Sequence, residues 1–341
     1  MKKINVVSLF NGMNTLRQAF ENIGVKVDKY YSSEIKPYAI ELTQHNFPDT
    51  IQVGNILNWR EWDIDWTKID FIGSGSPCQD LSAAGKRAGI NGKKSSLFFL
   101  FVEILEHCKS LNPDVKFLQE NVGSASKLDV GIMSRALGVY PVRINSSLLT
   151  AQLRDRYYWS NIRVKETMFD LVTDIPQPKD KNILLKDILQ FGYSDREKSK
   201  ALLESDERPV TQQHKAARRY FNSGFTNLIF KDKQTYLRVK EATIIGFVDI
   251  ANNEAVDLSY PESKTRRGRS MKDKSNCLLR NNEYFLFQGG ELRYFTQTEL
   301  ERLQGFTDGY TSILSRNQSA SLLGDGWTLP VIEHILKFFE L

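Results

Sequence analysis

The chain has 341 residues, of which 41% are hydrophobic and 26% are charged, and it carries a net charge of +5 at neutral pH. This length and composition predict a globular protein with one large or two moderate hydrophobic cores. They argue against a membrane protein, because no apolar run reaches the length of a bilayer span and the N-terminal segment "MKKINVVSLFNG" has only a short apolar stretch. We therefore expect an intracellular, cytoplasmic protein.

Cysteine and histidine are scarce. Cys78, Cys108 and Cys277 are odd in number and widely separated, which argues against a disulfide framework and fits a reducing compartment. The four histidines are equally scattered, so no spacing indicates a zinc site. We expect no metal in the mechanism.

The first 162 residues alternate short β-rich apolar runs with helical periodicity. In chain order the pairs are "INVVSLF" before a helix from about Asn14, "DKYYSSE" before "KPYAIELTQHNF", "IDFIGSG" before "SLFFLFVEILEHCKSL", and "VKFLQENV" before "DVGIMSRALG". This alternation predicts a parallel sheet covered by helices. Right-handed crossovers then place the loops that follow the strands along one edge of the sheet.

The pattern changes near residue 163. Residues 163–290 contain short strands such as "EATIIGFVDI", interrupted by polar segments and by the basic run "SKTRRGRSMKDK" from Ser263 to Lys274. The run is either a solvated loop or a phosphate-binding segment. From Glu291 onwards, "TQTELERLQGF" and the amphipathic "LPVIEHILKFFEL" restore helical order. We predict three parts: a domain over residues 1–162, a smaller irregular domain over 163–290, and a segment over 291–341 that returns to the first domain.

Several chemically suggestive residues follow strands of the predicted sheet. Cys78 follows "IDFIGSG", the turn "LFNGMNT" follows the first strand, Glu34 follows the second strand, and "ENV" ends the fourth. Open α/β sheets bind ligands at this edge, so a nucleoside-containing cofactor beside a nucleophile is the expected site. The turn lacks the second and third glycines of G-x-G-x-x-G, so a pyrophosphate fits poorly.

Six segments in chain order resemble the motifs of the cytosine-5 DNA methyltransferases, and the resemblance covers nearly the whole chain. They are "SLFNGM", "SPCQDLS", "QENV", "QLRDRYYW", "TELERLQGF" and "LLGDGWTLPVIEHI". The family implies a Rossmann-like, S-adenosylmethionine-binding α/β sheet formed by residues 1–162 and 291–341. It also implies that residues 163–290 form a smaller, irregular target-recognition domain.

The resemblance also implies the catalytic residues. Carbon 5 of cytosine is a poor nucleophile, so such an enzyme first adds a thiolate to carbon 6, and Cys78 takes this role. Glu120 resembles the family's residue at ring nitrogen 3. Arg154 and Arg156 resemble the motif that holds the cytosine carbonyl oxygen, and we expect Arg154 to be the closer of the two to the base.

The cofactor implied is S-adenosylmethionine. Phe10 resembles the residue that stacks on the adenine, Glu34 the acid that accepts from the ribose hydroxyls, and Asn55 stands where the family usually has an aspartate for the adenine amino group. Three further departures are Asn14 and Thr15 in place of glycines, and Asp325 where asparagine is commoner. The implied cofactor-binding residues are Phe10, Gly12, Met13, Glu34, Ile35, Asn55, Ile56, Pro77, Leu97, Trp327 and Thr328.

The implied partner is duplex DNA, from which the target base must be extruded before it can be modified. Residues 85–96 are basic and contain three glycines, so they fit a mobile lid that closes over the DNA. The alternative is an ordinary flexible surface loop. We expect a monomeric, nucleoid-associated prokaryotic or phage enzyme; a paired restriction endonuclease and an orphan or phage self-protection role both stay open. The predicted DNA-binding residues are Gln79, Ser82, Lys86, Arg87, Arg266, Arg267 and Arg269.

Three alternatives stay open at the level of sequence. The related cytosine-5 RNA methyltransferases share this core, and methylation of duplex DNA and a tRNA side by side separates the two. An inactive DNA-binding relative is disfavoured because Cys78, Glu120 and Arg154 are intact. A nicotinamide oxidoreductase is disfavoured by the missing glycines, and a cofactor-binding titration separates it from the methyltransferases.

Overall fold

The computed structural model describes residues 3–77, 90, 96–194, 196–202, 216, 219–220, 227–231, 236–241, 243–251, 254–257, 269–271, 284–286 and 292–340. Within these residues, no helix combines the length and the apolar character needed to cross a membrane.

A seven-stranded sheet occupies the centre of the described part of the chain, with strand order β3-β2-β1-β4-β5-β8-β6. The first five strands in this order are parallel, and β8 and β6 are antiparallel to their neighbours. The predicted mostly parallel α/β sheet is confirmed. The strands up to residue 160 are β1 (Ile4–Leu9), β2 (Val27–Ser33), β3 (Ile51–Gln52), β4 (Phe71–Ser74), β5 (Lys116–Val122), β6 (Val142–Asn145), β7 (Gln152–Leu153) and β8 (Asp155–Ser160).

Strand β1 shows why helices cover both faces of the sheet. Ile4 and Val6 belong to one hydrophobic cluster, whereas Val7 and Leu9 belong to the other, because successive side chains of a strand point to opposite faces. All four are buried. The apolar run "INVVSL" is typical of a parallel strand that is covered on both sides.

The helices between the strands agree with the predicted positions. α1 begins after Asn14, and the structure places a short 3-10 helix over Ile56–Glu61 and another over Trp66–Lys68, which were not predicted. The four helices of this part are α1 (Thr15–Asn22), α2 (Pro37–Asn46), α3 (Leu97–Leu111) and α4 (Lys127–Leu137).

The last fifty residues form helices that pack on the first part of the chain. The final helix lies against α1, and beyond it the ring of Phe339 lies 6.0 Å from that of Phe20 and 5.4 Å from that of Phe71. Gly305 has a φ of 80°, and a Cβ there would lie 2.3 Å from Cδ of Pro330, so only glycine allows this close approach. The remaining helices are α5 (Leu185–Ile188), α6 (Gln297–Gln304), α7 (Arg316–Asp325) and α8 (Leu329–Leu336).

The described residues between 163 and 294 form small sheets, one of them shared with β7, and a hydrophobic cluster that includes Phe230, Ile250 and Tyr294. The predicted strand "EATIIGFVDI" is wrong in its first half, because the chain turns there and Glu241 donates to the carbonyl of Gly246. The strands are β9 (Val164–Glu166), β10 (Leu171–Thr173), β11 (Ser199–Lys200), β12 (Leu228–Phe230), β13 (Tyr236–Lys240), β14 (Phe247–Ala251), β15 (Ala255–Asp257), β16 (Arg269–Met271), β17 (Tyr284–Leu286) and β18 (Leu292–Tyr294).

The packing of α8 generates a prediction about stability. Ile335 is 0% exposed, so Ile335→Ala should lower the free energy of unfolding by roughly 2–5 kcal/mol through lost burial and the cavity left behind. Ile244 is fully exposed, so Ile244→Ala is the matched control and should change stability by less than about 0.5 kcal/mol. Urea unfolding measures both. Equal, small effects would show that α8 does not pack into the core.

Candidate active site

A cavity of about 410 Å³ lies at the carboxyl edge of β1, β2, β4 and β5. Most of the residues that the sequence assigned to cofactor binding and catalysis line it. Met13 and Thr328 do not: both are buried behind the wall, where Met13 packs against Gly326 and the Thr328 hydroxyl donates to Gln304. The predicted residues that line the cavity are Phe10, Gly12, Glu34, Ile35, Asn55, Ile56, Pro77, Leu97, Glu120, Arg154, Arg156 and Trp327.

The turn between β1 and α1 forms one end of the cavity. Phe10, Gly12 and Asn14 have φ values of 55°, 57° and 66°. Asparagine tolerates this left-handed conformation better than most residues do, so Asn14 in place of the family's glycine is compatible with the turn. The first helical residues, Thr15 and Leu16, line the cavity, and a helix N-terminus favours an anionic group.

Glu34 fastens two loops at the cavity wall. Its Oε2 accepts from the backbone N–H of Gly12 at 2.8 Å, and its Oε1 accepts from the N–H groups of Ile35 and Lys36 at 2.7 and 2.9 Å. The Glu34 side chain therefore ties the loop after β2 to the turn after β1.

Asn55 caps the 3-10 helix that follows β3. Its Oδ1 accepts from the backbone N–H of Leu57 at 3.0 Å. The oxygen that the sequence assigned to the adenine amino group thus already holds the local backbone, and an aspartate at this position could form the same cap. The sequence does indicate this capping role, because asparagine is a preferred residue at the N-cap of a helix.

Glu120, near the end of β5, is the acid at the inner end of the cavity and is 8% exposed. Its Oε1 lies 2.8 Å from Nε of Arg156, and its Oε2 accepts from the indole Nε1 of Trp327 at 3.1 Å. Arg156 arrives from β8, which runs antiparallel beside β5. A buried carboxyl group is costly unless it is paired, and here Arg156 forms an ion pair at one oxygen while Trp327 donates a hydrogen bond to the other.

The hydrogen bond from Trp327 is a contact that the sequence reasoning missed. The sequence assigned Trp327 only to the cofactor. Gly75 makes the contact possible, because a Cβ there would lie 2.7 Å from the Trp327 Nε1. The glycine in "SGSP", directly after a strand, is the signal that marks such a close approach.

Arg154 lines the cavity and also holds the loop that carries Trp327. It is 4% exposed, and its Nη1 and Nη2 donate to the carbonyls of Gly324 and Gly326 at 3.0 and 2.8 Å. It therefore braces the loop that carries Trp327. Arg156 pairs with Glu120, both arginines line the cavity, and their order around a bound base stays a prediction.

Part of the predicted site lies outside the described residues. This holds for the proposed nucleophile Cys78, for Cys277 and for most of the proposed lid over residues 85–96. Cys108 is described: it is buried in α3, and burial raises the pKa of its thiol to about 12. Within the described ranges, no group of residues has the composition of a metal site. The predicted DNA-binding residues Gln79, Ser82, Lys86, Arg87, Arg266 and Arg267, and the side chain of Arg269, are also outside the description.

Solved structures identify the class to which this fold belongs. A methyltransferase of Entamoeba histolytica, EhMeth, matches with a TM-score of 0.59 over 99% of this chain and 98% of its own, at 18% identity. At that identity the likeness shows the fold alone. The fold is that of the Rossmann-like α/β methyltransferases, as the sequence predicted.

The chain belongs to the C-5 cytosine-specific DNA methylase family, whose sequence pattern matches residues 4–340. It is similar to the orphan methyltransferase M.SPRI of Bacillus phage SPR, at 28% identity over 301 residues, 80% of this chain and 66% of the relative. It is also similar to the type II methyltransferase M.NgoBV of Neisseria gonorrhoeae, at 24% identity over 98% of both chains. The family predicted from six motifs is confirmed, and the chain is an enzyme of the transferase class, not an oxidoreductase.

Substitution of Arg154 and substitution of Arg156 should affect different properties of the enzyme. Arg156→Gln should lower the single-turnover rate of methyl transfer by roughly 10²-fold, since it removes a charged donor at the reacting centre. Arg154→Gln should chiefly lower stability, by about 2–3 kcal/mol, since it removes two charged hydrogen bonds to buried carbonyls. Rapid-quench assays and urea unfolding measure the two effects. A larger rate loss for Arg154→Gln than for Arg156→Gln would support the order expected from the sequence.

Proposed function

We propose that this enzyme transfers a methyl group from S-adenosylmethionine to carbon 5 of a cytosine extruded from duplex DNA. The observation that carries the proposal is the buried Glu120, held by Arg156 and Trp327 at the inner end of the cavity. Pro77, the residue before Cys78, lines the same cavity. A hydrogen-bonding acid and a nucleophile loop at one pocket are what addition to a pyrimidine ring requires.

The residues of the cavity fit S-adenosylmethionine. Glu34 presents a carboxylate suited to ribose hydroxyls, Phe10 and Ile56 offer apolar surface for the adenine, and the α1 N-terminus suits the amino-acid carboxylate. The bound cofactor would supply an electrophilic methyl group on a sulfonium sulfur. Asn55 lies at the adenine end and keeps its capping bond to Leu57.

The proposed chemistry begins with the Cys78 thiolate, which forms a bond to carbon 6 of the cytosine. The ring electrons would move toward nitrogen 3, where Glu120 in its protonated form would donate a proton, and Arg156 would hold both Glu120 and the ring carbonyl oxygen. Carbon 5 would then take the methyl group as S-adenosylhomocysteine leaves, and nitrogen 3 would return its proton to Glu120. A base removes the carbon 5 proton, the double bond re-forms, and Cys78 leaves as the thiolate.

The remaining parts of the proposal concern partners. Residues 163–290 would form the target-recognition domain, with the basic run from Ser263 to Lys274 facing DNA phosphates. The enzyme would act as a monomer in the bacterial cytoplasm. The type II name of the gonococcal relative points to a paired restriction endonuclease, whereas the orphan name of the phage relative fits protection of the phage's own DNA.

A covalent adduct tests the proposal. With 5-fluorocytosine in the target site, carbon 5 cannot lose a proton after methyl transfer, so Cys78 should stay attached and a denaturing gel should show a shifted band. The band should require S-adenosylmethionine and be absent for Cys78→Ser. Cys108→Ser is the matched control and should keep the band, because the Cys108 thiol is buried.

Two outcomes would contradict the proposal. An adduct that persists in Cys78→Ser would show that another residue is the nucleophile. An adduct formed with a 5-fluorocytosine-containing tRNA, but not with duplex DNA from the same host, would make the RNA methyltransferase alternative the correct one.

A further inference from the structure

An ion pair stands at the outer rim of the cavity. Nζ of Lys36 lies 2.8 Å from Oδ2 of Asp325, and the two side chains are 39% and 51% exposed. Both residues line the cavity, whose inner end holds the buried Glu120. The pair therefore lies on the solvent side of the cavity, at its mouth.

The two residues come from opposite walls. Lys36 follows β2, and its backbone N–H is bonded to Glu34. Asp325 ends α7 and lies between Gly324 and Gly326, whose carbonyls are held by Arg154. Because each partner is attached to a fixed part of its wall, closing the ion pair ties one wall of the cavity to the other.

We propose that the Lys36–Asp325 pair is a latch across the mouth of the cofactor cavity, and that its opening limits the entry and the exit of the cofactor and its product. The proposal rests on the proposed function, since the ligands that exchange are S-adenosylmethionine and S-adenosylhomocysteine. Asparagine, which the family more often has at position 325, lacks the charge that makes this contact an ion pair.

The charge state of the pair supports this role. Partial burial lowers the pKa of Lys36, but the hydrogen bond and the charge of Asp325 outweigh that effect, and the net shift of the pKa is upward. The ammonium group is therefore charged at neutral pH. The contact is partly exposed, so it is weak enough to open often and is screened by salt.

A neutral contact joins α2, which begins directly after Lys36, to α7, which ends at Asp325. The hydroxyl of Tyr38 in α2 lies 3.4 Å from that of Ser321 in α7. This contact carries no charge, so salt should leave it unaffected. A salt dependence of cofactor exchange that the Lys36 and Asp325 variants lose therefore reports on the Lys36–Asp325 ion pair. It does not report on the neutral Tyr38–Ser321 contact between α2 and α7.

Stopped-flow mixing with S-adenosylmethionine and with S-adenosylhomocysteine tests the latch. Asp325→Asn and Lys36→Met should each raise the association and the dissociation rate constants in parallel, by about threefold, which is the scale of a partly exposed ion pair. Because a latch blocks both directions, Kd should change by less than about twofold. Added salt should speed exchange in the wild type and leave both variants unaffected.

Two further variants sharpen the test. The double variant Lys36→Asp with Asp325→Lys should restore slow exchange, because it restores the pair with the charges reversed. Asp28→Asn is the matched control, since it breaks the exposed Lys3–Asp28 pair, whose residues do not line the cavity, and it should leave both rate constants unchanged.

The other outcomes overturn the latch in distinguishable ways. A rise in the dissociation rate alone, with weaker binding, would make Lys36 or Asp325 a direct cofactor contact instead. Unchanged rates in both single variants would make the pair an ordinary surface contact. A wild-type protein that binds neither S-adenosylmethionine nor S-adenosylhomocysteine would overturn the proposed function and the latch together.

Discussion

The buried carboxylate of Glu120 constrains the rest of this structure. A buried acidic group is costly unless its oxygens are paired, and the two partners come from distant parts of the chain: Arg156 on β8 and Trp327 in the loop before α8. Arg156 reaches Glu120 because β8 lies beside β5 in the sheet. Trp327 reaches it because the C-terminal helices pack against the first part of the chain, with α8 on α1.

The loop from Gly324 to Trp327 connects the two ends of the site. Arg154 holds its carbonyls, Trp327 donates to Glu120 at the inner end, and Asp325 pairs with Lys36 at the rim. A single short segment is thereby attached both to the acid expected to meet the base and to the wall that surrounds the cofactor. This physical continuity gives the cavity proposed for the cofactor and the residues proposed to meet the base a shared structural support.

The sequence predicted β1, β2, β4 and β5 from their β-rich apolar runs, as in "INVVSL", which is buried at every position except Asn5. It did not predict the two-residue strand β3. It did not predict β8, whose first residues are charged where they meet the site. It placed Arg156, Arg154 and Trp327 at the site through their motifs. It could not order the two arginines, because their partners, Glu120 on one side and the carbonyls of Gly324 and Gly326 on the other, are set by tertiary packing.

Bisulfite sequencing of DNA from cells that express the protein tests the central claim most directly. If Glu120 is the acid that meets the ring of an extruded cytosine, the wild type should leave unconverted cytosines in one sequence context. Glu120→Gln, which keeps the shape of the side chain and removes the acidic group that can give a proton to the ring, should leave that context at background. Unchanged methylation by Glu120→Gln, or no methylated context with the wild type, would contradict the account.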